Sequence, residues 1–159
     1  MKTAAPTPQL AHHPFVAGLP PRLIEELAPL AREVHFVPNQ VVFREGEDCH
    51  DFFLVVAGRV ALEILSSGAP LRVQTVSAGD EFGWSAVLMG RGKHFQARAL
   101  DAVEAISFDG LQVMALCRED TALGFEFMHR LLGVVSERLH ATRLQLLDMY
   151  WPVAKKAGA

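Results

Sequence analysis

From Val34 to Ser107 the chain consists of short runs rich in Val, Phe, Ile and Leu, cut at Pro38-Asn39, Glu45-Gly46, Gly58, Ser66-Ser67-Gly68 and Ala78-Gly79-Asp80. Runs this brief, punctuated by residues that tolerate or impose turn geometry, leave no room for helices and predict β-strands. Val60, Leu62 and Ile64 alternate with Arg59, Ala61 and Glu63, and Phe95, Ala97 and Ala99 alternate with His94, Gln96 and Arg98. Each strand is therefore expected to have one buried and one wetter face. About eight such strands predict an antiparallel roll or sandwich.

Helical periodicity flanks this region. Phe15, Leu19, Leu23, Leu27 and Leu30 fall three or four residues apart, with Pro20-Pro21 at a helix start. Before them, Met1 to His13 mixes Pro, Thr, Ala and His without a period, and is expected to be a flexible arm. After Asp109-Gly110 the period becomes helical again. Met128, Leu132, Val135, Leu139, Thr142, Leu146 and Met149 recur in a 4-3-4-3-4-3 pattern, the spacing that keeps a seam facing a partner helix. The bland alternative is packing on its own domain. The length of the pattern favours a homodimer formed through this helix. Pro152 is expected to end it, leaving 152–159 as a frayed tail. The expected organisation is one domain over 14–151, with a helical lead-in at 14–33, a β-roll at 34–108 and C-terminal helices at 109–151.

Composition narrows the function. Half of the 159 residues are hydrophobic and the net charge is -3, which suits one globular domain and gives no basic stripe for direct nucleic-acid binding. No apolar run approaches the ~18 residues of a membrane helix. The first thirteen residues lack the pattern of a secretory signal, so the expected location is cytoplasmic. Cys49 and Cys117, far apart in sequence, read as free thiols. His-Glu-x-x-His, a phosphate-loop Gly-Lys-Ser, Gly-x-Ser-x-Gly and Gly-x-Gly-x-x-Gly are all absent, and the chain is not expected to be an enzyme. The acidic stretch Glu47-Asp48-Cys49-His50-Asp51 reads as a solvated hairpin, and His129 and His140, ~16 Å apart on one helix, cannot share a metal within a protomer.

The order of elements and glycines carries a resemblance. Phe15-Val16-Ala17-Gly18-Leu19-Pro20, Val42-Phe43-Arg44-Glu45-Gly46-Glu47, Ala57-Gly58-Arg59-Val60, Gly79-Asp80-Glu81-Phe82-Gly83 and Ala99-Leu100-Asp101-Ala102-Val103-Glu104 follow one another. In this order they resemble the cyclic-nucleotide-binding domain of the catabolite-activator and fumarate-nitrate-regulator superfamily, from about Phe15 to Tyr150. The resemblance implies a mainly β fold with α elements: a double-stranded β-helix, or jelly roll, with an N-terminal helical segment and a long C-terminal dimerisation helix. It also implies that Gly79 to Ala99 holds a phosphate-binding cassette, in which backbone N–H groups at Gly83, Trp84 and Ser85 face a cyclic phosphate beside a cation.

The chain departs from that pattern at decisive points. The family places a Glu after this Gly, to accept from the ribose 2'-hydroxyl, and later an Arg followed by Ser or Thr for the phosphate. Here Trp84, Lys93 and His94 stand there, allowing one register step in the loop Met89 to Gly92. An indole has no acceptor. Losing a charge-assisted bond costs about 1.5–3 kcal/mol, and exchanging Arg for Lys a similar amount, together roughly 10²- to 10⁴-fold in affinity. Cyclic nucleotide binding is thus expected to be weak or absent, with Trp84 either a plug or a stacking platform for another flat ligand.

Other readings stay open. Ser85, Lys93 and His94 still offer donors to an anion. Thr142, in Arg138-Leu139-His140-Ala141-Thr142, resembles a family position that meets adenine across the dimer, or is a polar seam residue setting register. His94 reads as an anion donor, a packed imidazole or, since some members of the superfamily hold haem, an axial ligand. The family's transcription factors continue into a helix-turn-helix domain. With only WPVAKKAGA after the helix, the expected output passes to a protein partner.

Overall fold

One glycine turns the chain from one sheet into the other. Strands β4 (Asp51–Ala57) and β5 (Arg59–Ser66) lie in different sheets, joined by Gly58 at φ 85°, where an added Cβ would stand 2.3 Å from the Ala102 carbonyl oxygen. Only glycine fits a left-handed corner pressed this closely on backbone. The corner is fastened by Asp101, which accepts from the Arg59 backbone N–H at 2.7 Å and from its Nε at 2.8 Å. The computed structural model describes residues 3–4, 7–88 and 93–157, in two units that meet in sequence after Gly124.

In the first unit, β1 (Thr3–Ala4), β2 (Arg32–Phe36), β9 (Val103–Asp109), β4 and β7 (Glu81–Phe82) form one antiparallel sheet in the order β1-β2-β9-β4-β7. The other sheet runs β3-β8-β5-β6, with β3 at Val41–Phe43, β6 at Ala69–Ser77 and β8 at Gln96–Ala99. Val34, Phe53, Val55, Phe82, Val103 and Ala105 of the first sheet share one apolar cluster with Phe43, Val60, Leu62, Val76, Ala97 and Ala99 of the second. This is the jelly roll expected from the punctuated runs, with helices added at both ends.

The alternation in β5 hides a second layer. Ala61 and Glu63, on the face expected to be wet, are 0% and 1% exposed. Ala61 stands opposite Arg98 and Glu63 opposite Gln96, and the Arg98 guanidinium closes over the Glu63 carboxylate. A long side chain with an apolar stem thus covers the outside of the sheet.

The N-terminal segment differs from the expected arm. Thr3 and Ala4 pair with Glu33 and Arg32, α1 spans Thr7–His12, and Leu10 and His13 are buried. One apolar side chain in a six-residue helix gives no period to read, yet it is enough where the roll supplies the opposite surface. Helix α2 (Pro21–Leu27) starts with proline in its first turn and buries Leu23 and Leu27, as the spacing predicts.

Helix α3 (Gly110–Glu119) is capped by Asp109, which accepts from the N–H groups of Leu111 and Gln112 at 2.9 and 3.1 Å. Helix α4 (Thr121–Ala157) has 37 residues, a length of roughly 55 Å. It runs past Pro152, where a stop is expected. Proline removes one backbone donor, and here the helix continues for five further residues, Val153 to Ala157. Along the part from Phe125 onward, Leu132, Leu139, Leu146 and Met149 are exposed. No helix among the described residues is long and apolar enough to cross a membrane.

Candidate functional site

The cassette grows from the end of β7. Phe82 pairs with Phe53 of β4, and the next residue, Gly83, turns left-handed at φ 76° to start a 3-10 turn over Trp84–Ala86. Its bonds are Ala86 N–H to the Gly83 carbonyl at 3.0 Å and Val87 N–H to the Trp84 carbonyl at 3.1 Å. A Cβ at Gly83 would meet the Asp51 carbonyl oxygen at 2.8 Å and Lys93 Nζ at 3.2 Å. Glycine is required here because the turn is left-handed and lies against the Asp51 backbone.

The lysine beside this turn is the residue that the resemblance sets, with one register step allowed, at the phosphate cation of the cassette. Lys93 is 3% exposed. Its Nζ donates to the Asp51 carbonyl at 2.9 Å and the Gly83 carbonyl at 3.0 Å, and lies 4.8 Å from the centre of the Phe43 ring, within cation–π range. Burial pulls its pKa below the usual lysine value, against the opposing pull of Cys49 and Asp51. Its backbone is held as well: Lys93 N–H donates to the Glu47 carbonyl at 3.1 Å, and Gly46 N–H to the Lys93 carbonyl at 2.7 Å. Under this cation the end of the roll is filled by rings. Phe53 and Phe82 stack at 4.7 Å and 9°, and Phe43 lies 6.0 Å from Phe82 and 6.3 Å from Phe53.

The remaining expected residues are spread around this point. Trp84 and Ser85 are half-buried. Ser85 lines a cavity of about 160 Å³ with Asp48, Cys49, His50, Met114 and Arg118. His94 is exposed. Met89 to Gly92, the loop of the register step, lie outside the described residues. Thr142, in the second unit, is exposed and donates to the Arg138 carbonyl of its own helix at 2.9 Å. The structure thus brings Gly83 and Lys93 into contact, with Trp84 and Ser85 on the same turn. It also shows partners that a sequence reading passes over: the Asp51 carbonyl, the three stacked phenylalanines, and the close approach of α3. A Cβ on Gly110 would stand 2.2 Å from the Ala86 carbonyl oxygen, so the start of α3 rests directly on the cassette backbone.

The roll, its glycine corner and the cassette turn agree with the comparison to known proteins, in which the model of the cyclic nucleotide-binding domain matches residues 33–120. The chain belongs to that family. Among solved structures it is similar to a putative cyclic nucleotide-binding protein from Geobacter metallireducens, at 25% identity and TM-score 0.76, covering 86% of this chain and 99% of that one. It also matches the catabolite activator protein of Thermus thermophilus at 21% identity and TM-score 0.70, covering 86% of this chain and 62% of that one. The sensor domain of the transcriptional regulator DNR from Pseudomonas aeruginosa matches at 23% identity and TM-score 0.67, covering 89% and 91%. Among curated relatives, the potassium channel AKT1 of Oryza sativa subsp. indica is 23% identical over 121 residues, 76% of this chain. The chain spans 13% of the length of that channel.

Proposed function

We propose that this family member is a non-catalytic regulatory domain with a degenerate cassette, held by its own lysine instead of by a cyclic nucleotide, and that it signals to a protein partner as a homodimer. The observation that carries this reading is the direction of Lys93. An ammonium bonded to the Asp51 and Gly83 carbonyls and set over the Phe43 ring is committed inside the protein. To meet a phosphate it would have to give up its charge-assisted bonds to both carbonyls, worth about 1.5–3 kcal/mol each, although the Gly83 carbonyl would keep the Ala86 N–H. Trp84, following Gly83, supplies no acceptor for a ribose hydroxyl. Both departures oppose the same ligand.

The homodimer rests on α4. Leu132, Leu139, Leu146 and Met149 share the heptad seam and are exposed within the single chain, with Thr142 as the polar residue of the seam.

Titration calorimetry of the whole protein with cyclic AMP and cyclic GMP tests the reading. No saturable heat is expected up to ~1 mM, the range in which binding is worth only about 4 kcal/mol. Lys93→Ala is expected to raise hydrogen exchange at Ala86 and Val87, whose N–H groups close the turn, and to leave the calorimetry unchanged. Micromolar binding that Lys93→Ala abolishes overturns the proposal and identifies a nucleotide sensor that turns Lys93 outward.

A further inference from the structure

In the N-terminal segment one imidazole has both nitrogens committed, one of them to the roll. His13 is 5% exposed. Phe15 N–H donates to its Nδ1 at 3.2 Å, and its Nε2 lies 3.1 Å from the Val55 carbonyl oxygen of β4. A ring that accepts at Nδ1 and donates at Nε2 is the neutral Nε2–H tautomer. The backbone of the same residue organises the turn that follows, its carbonyl accepting from Val16 N–H at 2.9 Å and Ala17 N–H at 2.8 Å.

Apart from this ring, docking has strengths and gaps. Leu10 is fully buried, and Phe15 meets Phe52 edge-on at 5.3 Å. Against these stands a cavity of about 240 Å³ lined by Gln9, His12, His13, Pro14, Val55 and Gly79. Gln9 Oε1 is buried without a hydrogen-bond partner. An imperfectly packed contact with an orphaned acceptor depends strongly on the polar bonds that it does make.

We propose that His13 is a proton-operated latch, and that acidification releases the segment from Thr7 to Leu19 from the roll. Protonation converts Nδ1 from acceptor to donor, so that it faces the Phe15 N–H donor to donor, and it places a cation on a buried side chain. The groups facing the ring are Asp80, from the turn before β7, and His12, which lines the same cavity. Asp80 and the Val55 carbonyl favour the imidazolium, but burial outweighs them and lowers the His13 pKa from its ordinary 6.5. A lowered histidine pKa means that the docked form binds fewer protons than the released one. The latch is therefore fully closed above 6.5 and loosens as the pH falls towards the docked value. Over that window the ratio of released to docked segment rises about tenfold per pH unit. The strand that loses its contact is β4, whose opposite end holds Lys93 through Asp51.

The test uses the whole protein, following histidine ring nitrogens by NMR and amide hydrogen exchange from about pH 8 to about pH 5, corrected for intrinsic rates. His13 is expected in the Nε2–H form at neutral pH. The opening constants of the Val16 and Ala17 amides should rise about tenfold per pH unit below the ordinary histidine value, while those of β5 stay flat. His13→Gln keeps a donor and an acceptor without titrating and should remove the slope, whereas His12→Gln should preserve it. An Nδ1–H tautomer, a flat opening constant in the wild type, or the same slope in His13→Gln overturns the latch. If His13→Gln does not fold, the wild-type tautomer and the contrast between Val16 and β5 decide.

Discussion

The two units satisfy their side chains in opposite ways. In the first, three polar side chains that go inside find partners within the chain: Lys93 on two carbonyls, Glu63 on Arg98 and Gln96, and His13 on Val55 and Phe15. In the second, Phe127 and Leu131 are buried but the apolar groups further along stay outside, with Leu139 59% and Met149 72% exposed. Buried polar groups that are paired within the roll help to fix its shape. A helix that leaves a heptad seam in water has burial energy still to gain, and the homodimer proposed above is what would supply it.

The largest effect should come from emptying the ring stack. Phe82 is fully buried between Phe43 and Phe53, and Phe82→Ala is expected to cost about 3–5 kcal/mol in denaturant unfolding. A loss below about 1 kcal/mol would mean that the stack is not the core of the roll. On the other side of the contrast, Leu139→Glu should leave the unfolding of the roll within about 0.5 kcal/mol of wild type, the usual range for a surface position. In a paired seam it removes about 1.5–3 kcal/mol of burial per chain and sets two carboxylates against each other, so light scattering should report monomers. A wild-type protein that is already monomeric contradicts the seam.

What could be read in advance divides along the same line. The punctuated runs and the turn glycines are periodic or local signals: the runs predict a roll or sandwich, and the order of the glycines carries the resemblance that implies the jelly roll. The direction of Lys93 has no such signal, because it is set by a carbonyl at Asp51, forty-two residues away. The contact of His13 with Val55 again spans forty-two residues, while the segment itself reads as a flexible arm without a period. Glu63 and Arg98 do stand on matching faces of their strands, but only the pairing of β5 with β8 makes them neighbours. The heptad spacing through Thr142 needs no such long-range information, because its members are three and four residues apart on one helix; its pairing with a second copy belongs to the proposal above.

The smallest effect separates two acid transitions within the first unit. Hydrogen bonds from Arg98 hold the Glu63 carboxyl below its ordinary 4.5, against burial, with further help from Gln96 and Arg72. A depressed carboxyl contributes stability that is present above 4.5 and is lost as the pH falls through the folded value. Glu63→Gln keeps the shape, removes the charge and should flatten this part of the pH–stability curve. Its cost at neutral pH belongs near the lower end of about 1–3 kcal/mol, because the Arg98 side chain is 27% exposed and water can take over part of its solvation. The His13 window opens higher, at 6.5, so Glu63→Gln should leave amide exchange at Val16 and Ala17 untouched between the two values. If that exchange changes in Glu63→Gln, the two networks are coupled through the roll, and the independence of the latch from the outer face of the sheet is lost.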